Sequence, residues 1–187
     1  MKRLLLMSGA IVAFSIAGAT GALATEVWSG LDYYFEKPNW ADWTLPENQD
    51  RITDNVWITR QDWEGLFNIA VEDYYNFDTS PADTEWAFSG LNGNMTWDPG
   101  EGAAQYESLV FDYWVWALEW YPAYNFMDTP GVVHLISEDI YIDLLCEFWM
   151  IGDDGGGGGF SYYRGIPEPA TLSLLVLGGL LAARRRR

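Results

Sequence analysis

The chain has 187 residues, with 27 acidic against 10 basic side chains and a formal net charge of −17 at pH 7. Charge of that sign and size repels nucleic acid and anionic membrane surfaces, and makes cations, basic proteins or neutral polymers the natural partners. The single cysteine, Cys146, excludes an intramolecular disulfide, and with His134 as the one histidine the chain has too few nitrogen and sulfur ligands for a zinc centre.

Lys2 and Arg3 precede an apolar or small-residue run over 4–19, and Ala22-Leu23-Ala24 then supplies a small-x-small cleavage motif. This is the layout of a secretory signal helix cut after Ala24 by signal peptidase, so residues 1–24 are set apart from the fold. The body, 25–166, has the size of one domain. It holds 26 acids against four bases, Lys37, Arg51, Arg60 and Arg164, a net charge of −22. High acidity with few aromatics would indicate disorder. Here all eleven tryptophans lie between Trp28 and Trp149, so an ordered domain with most of them in its core is expected.

Residues 26–35 (EVWSGLDYYF) are aromatic and favour a strand, and Pro38, Pro46 and the polar stretch 47–50 mark a long connection. A turn at Asp54-Asn55 leads into a strand through Val56, Trp57, Ile58 and Thr59. The stretch 65–75 fits a helical and a strand spacing equally well. Ser80-Pro81 with Asp83 and Glu85 predicts a short helix, Ser80 as its cap and Pro81 in the first turn. Residues 106–120 are rich in aromatic and β-branched side chains and predict a strand at least as far as Trp116. The strongest pairing comes last. An apolar run over 132–136, a turn at Ser137-Glu138-Asp139 and a return strand over 140–149 place Ile140, Ile142, Leu144, Cys146 and Phe148 on one face. A final strand is expected at 160–164. Six to eight short strands with one minor helix give an all-β single domain, an antiparallel β-sandwich of jelly-roll-like form, flanked by the signal helix and a C-terminal hydrophobic helix.

That C-terminal segment, 167–187, has three parts: Pro167-Glu168-Pro169, an almost uncharged run over 170–183, then Arg184, Arg185, Arg186 and Arg187. A cationic cluster after an apolar run resists translocation and holds that end in the cytoplasm, with the body outside the inner membrane. The run, interrupted by Gly178 and Gly179, has the length of signal segments and falls short of the roughly 20 residues that span a bilayer core. The order of parts resembles the PEP-CTERM sorting signal of exported bacterial proteins. The resemblance implies processing by an exosortase-type membrane transpeptidase, membrane contact only through this segment before cleavage, and delivery to a cell surface or matrix rich in exopolysaccharide. Stretches of the body (55–60, NVWITR; 65–68, GLFN; 80–87, SPADTEWA; 139–143, DIYID) are similar to an uncharacterised β-rich module of secreted bacterial proteins. That likeness implies a fold and an address, and no activity.

Candidate chemistry is sparse. His134 could serve a Ser-His-Asp triad, but no Gly-x-Ser-x-Gly elbow is present and the ring lies inside an apolar run, where a structural role is expected. Paired carboxylates of a glycosidase arise by chance among 26 acids. The run Gly155 to Gly159 lacks the lysine and hydroxyl of a phosphate loop and reads as a flexible or tightly turning connection. The loop acids Asp98, Glu101, Asp153 and Asp154 could ligate calcium, although neither pair matches an EF-hand. Exposed tryptophans could stack on sugar rings. The expectation is a non-enzymatic surface or matrix protein associated with exopolysaccharide and free of catalytic residues and of cofactors other than calcium. A carbohydrate-binding module and a secreted hydrolase are the alternatives.

Overall fold

The computed structural model describes residues 25–151 and 155–167, and these form a mostly β, largely antiparallel domain. The signal segment, the sorting segment beyond Pro167, and Asp153 and Asp154 lie outside the described residues. No helix among the described residues is long and apolar enough to cross a membrane.

The sheet is organised around the hairpin that alternation predicts. Strand β7 (Pro130–Leu135) pairs antiparallel with β8 (Ile140–Trp149), Leu135 opposite Ile140 and Pro130 opposite Leu145. On its other edge β8 carries two strands end to end. Strand β1 (Glu26–Trp28) runs parallel beside Ile140, Tyr141 and Ile142, and β9 (Phe160–Arg164) runs antiparallel beside 144–149. Strands β2 (Tyr33–Lys37) and β6 (Thr84–Phe88) complete the six-stranded sheet on β9 and β7 respectively. The expected single strand over 26–35 is therefore two, divided by a bend at Gly30, and they meet different neighbours. A second, three-stranded sheet runs β3 (Asp50–Arg51), β4 (Trp57–Arg60) and β5 (Leu66–Asn68). The ambiguous stretch after Gly65 thus begins as a strand.

Both sheets send side chains into one core. Val56, Ile58 and Leu66 from the small sheet's region pack in the same cluster as Phe35, Ile142, Leu144 and Tyr162 of the large one. Burying apolar area at about 25 cal/mol per Å² is the main stabilising term for a domain that has no disulfide. The alternating face of β8 holds through Ile140, Ile142, Leu144 and Cys146, all buried. A register shift between Cys146 and Phe148 then turns the strand over, so Phe148 is exposed and Trp149 takes the inward position.

Three sequence expectations are corrected. No helix starts at Ser80. The Ser80 hydroxyl donates to Glu72 Oε1 and accepts from Asn76 N, and Thr84 to Phe88 forms β6 because Trp86 and Phe88 belong to the buried face beside Val133 and Gly131. No strand occupies 106–116. A 3-10 helix (Ala103–Ser108) and helix α1 (Trp114–Ala117) stand there instead, and Asp112 alone bridges to Trp86. Trp114, Val115, Ala117 and Leu118 are all buried, a spacing that one helical turn satisfies and an extended strand does not. Nor are most tryptophans core. Trp28, Trp86, Trp97, Trp114 and Trp149 are buried, Trp43, Trp57 and Trp116 half-buried, and Trp40, Trp63 and Trp120 exposed.

Candidate functional site

The displaced aromatics gather at one place. Strand β4 ends on Arg60, and the loop after it carries Trp63, Glu64 and Gly65. The loop after β5 carries Tyr75 and Phe77, and the start of helix α2 (Pro122–Asn125) gives Pro122 and Ala123. With Trp114 and Trp149 these enclose an open cleft of about 240 Å³. Trp114 and Trp149 pack with ring centroids 5.3 Å apart. The rim extends outward on both sides, Trp40 against Trp63 at 5.9 Å and Phe77 against Trp120 at 5.6 Å. Trp116 continues it, 3.7 Å from Trp120. Two exposed aromatics, Trp63 and Phe77, therefore line a cleft at the loops, while Tyr34 and Tyr163 pair separately across β2 and β9 at 5.0 Å.

Each wall is fixed by polar contacts made from backbone and loop side chains. Glu72 accepts from Asn68 N at 2.6 Å and Ala82 N at 2.8 Å as well as from Ser80, which pins both ends of the loop bearing Tyr75 and Phe77. Asn68 uses its amide fully, accepting from Trp57 N and Ala70 N and donating to Asn55 O and Ala82 O. Gly65 leaves room for the rings. A Cβ there would lie 2.7 Å from atoms of both Tyr75 and Trp114, closer than carbon atoms approach.

Arg60 is the cation of the cleft. Its guanidinium lies 3.6 Å from the centroid of Trp149, and its Nη1 donates to Gly159 O at 3.2 Å while Nε donates to Glu64 O. Burial pulls its pKa down to about 10, with Cys146 and Glu64 opposing, so at neutral pH it stays charged. Lys37 is a second buried cation, its Nζ donating to Gly158 O at 3.2 Å, and burial likewise lowers its pKa. The glycine run that receives both is a tight turn. Gly156 to Gly159 are buried, Gly157 N donates to Asp62 O, Trp40 N donates to Gly157 O, and Gly159 N donates to Asn39 Oδ1. Gly158 has φ +59° and lies so close to the backbone of Gln61 that no side chain fits.

The sequence candidates are scattered. Asp98 and Glu101 are exposed and line a separate shallow cleft with Thr96, Trp97 and Gln105. Among the described residues no three His, Cys, Asp or Glu side chains converge as metal ligands. His134 Nδ1 lies 2.7 Å from Glu85 Oε1, its Nε2 3.4 Å from Asp139 Oδ1, and its ring stacks on Tyr141 at 4.0 Å. Among the described residues no hydroxyl is hydrogen-bonded to it, and its contacts bind β6 and β7 to the turn before β8. Burial pushes the Cys146 thiol up, so it remains protonated inside the core. Arg60, Tyr75 and Phe77 were missed in the sequence. The signal for them was the density of large aromatics in polar, turn-rich stretches that offer few core positions.

Comparison with family models, curated proteins and solved structures finds no match for this chain.

Proposed function

We propose that this is an exported surface or matrix protein with a non-enzymatic role, whose body holds exopolysaccharide through the aromatic cleft. The observation that carries the reading is the cleft lined by the exposed rings of Trp63 and Phe77 beside Trp114 and Trp149, with Trp40 packed on Trp63 and Trp120 on Phe77. Apolar ring faces flanked by polar groups suit sugar rings, whose C–H faces pack on indoles while their hydroxyls reach backbone and side-chain partners. A cleft of about 240 Å³ is smaller than the 300–1,000 Å³ of a drug-sized site and fits one or two units of a polymer. In this reading the two sheets, which share one core, are the halves of a small jelly-roll-like sandwich. Signal peptidase removes 1–24, and an exosortase-type enzyme cuts near Pro167-Glu168-Pro169, which follow the exposed end of the body.

Sedimentation with the exopolysaccharide of the producing cells tests the binding. The double variant Trp63→Ala, Phe77→Ala changes exposed rings and keeps the core, and its retention should fall by about tenfold or more. Equal retention of variant and parent would reject the cleft as the binding site. Intact-mass measurement on surface material tests the sorting, which fails if the main species still ends in Arg184 to Arg187.

A further inference from the structure

A guanidinium has five N–H donors, and Arg60 spends two of them on the carbonyls of Glu64 and Gly159. No carboxylate among the described residues lies within ion-pair distance of it. It is almost fully buried, 2% exposed, yet it lines the cleft. Removing a cation from water with no carboxylate in ion-pair contact is costly, and the face of Trp149, two carbonyls and the more distant charge of Glu64 offset only part of that cost. Stacking fixes the plane of the guanidinium, so its remaining donors are held in a fork whose geometry matches a carboxylate.

We propose that Arg60 is the specificity residue of the cleft and selects a carboxylate-bearing sugar, a uronic acid unit in an otherwise neutral glycan; this rests on the saccharide-binding reading above. The aromatic walls take the ring faces and Arg60 takes the carboxylate. A densely charged polyanion is disfavoured because the body carries −22, so the acid must be sparse along the polymer. Glu64 also lines the cleft, and its negative charge opposes a bound acid and limits its affinity.

The test uses full-length protein and two probes, a trisaccharide with one glucuronate between neutral hexoses and the methyl ester of the same molecule. Titration calorimetry should show the acid binding about tenfold tighter than the ester, the size expected of charge-assisted hydrogen bonds. Arg60→Gln should abolish that preference while the ester still binds. Glu64→Gln, at an exposed position, should tighten the acid alone, and it remains informative if Arg60→Gln does not fold. Equal binding of acid and ester overturns the role of Arg60 and leaves the saccharide reading standing. Binding of neither probe overturns both.

Discussion

Two buried arginines of this domain, Arg164 and Arg60, have opposite surroundings. Arg164, on β9, meets Asp50 of β3 in a fork, Nε to Oδ2 at 2.7 Å and Nη2 to Oδ1 at 2.8 Å, and Tyr162 donates to the same carboxylate at 2.7 Å. Burial alone would lower its pKa, but the hydrogen bonds and charge of Asp50 more than offset this and hold it above the ordinary value. The pair ties the large sheet to the small one. Arg60 has carbonyls and an indole face for company, and its pKa falls to about 10. Arg164 is paired with a carboxylate, whereas Arg60 has no carboxylate within ion-pair distance among the described residues. Identical substitutions at the two positions therefore separate structure from recognition.

The largest effect is expected at the satisfied site. Arg164→Met leaves Asp50 buried without its cation, and removing one partner of such a pair costs roughly 3–5 kcal/mol. Urea unfolding measures it, and a loss below about 1 kcal/mol would deny Arg164 its role as the tie between sheets. Gly158→Ala comes next. It forces a Cβ into the Gln61 backbone at a left-handed φ, so the turn that receives Lys37 and Arg60 must shift, at roughly 2–4 kcal/mol. Arg60→Met should change stability by no more than about 1.5 kcal/mol, because relief of an unpaired buried charge opposes the loss of two hydrogen bonds and a cation–π contact. If Arg60→Met destabilised as much as Arg164→Met, the contrast between the two arginines would be void.

The same contrast explains what the sequence disclosed. The β7–β8 hairpin was legible because neighbours along the chain set its alternation, and it misled only at Phe148, where a bulge reverses the faces. Asp54-Asn55 and the strand after it were legible for the same reason. The Ser80 helix failed because Glu72 and Asn76 take the hydroxyl that a cap would use. Strand-like composition over 106–116 failed because Trp114, Val115, Ala117 and Leu118 are buried on a helical period. The cleft was almost illegible. Trp149, the last residue of β8, and Gly159, just before β9, meet Arg60 only in the folded chain, and Gly159 stands 99 residues from it in sequence. No local pattern encodes such a meeting. The glycine run hinted at a turn and gave no sign that its carbonyls receive two buried cations.

The smallest effect lies in alkaline solution, where Tyr75 and Arg60 oppose each other across the cleft. Burial, with the charges of Glu64 and Asp78, raises the Tyr75 phenol to about 12, and Arg60 acts against them. An unfolded phenol releases its proton near 10. Between about 10 and 12 the unfolded chain therefore binds fewer protons than the folded one, and stability falls as pH rises. The contribution of Tyr75 is complete below about 10 and gone above about 12. Arg60 has the opposite sign. Its folded pKa of about 10 lies below the ordinary 12.5, so in that window the unfolded chain binds more protons and stability rises with pH. The two slopes offset each other in the parent protein. Tyr75→Phe should leave the rise and Arg60→Met should leave the fall, each as a difference from the parent in unfolding free energy measured between pH 10 and 12. Tyr75 is only half-buried, so its part is screened by water and is the smaller of the two. If both variants followed the parent at every pH, burial would not have moved the titration of Tyr75 and Arg60 in opposite directions.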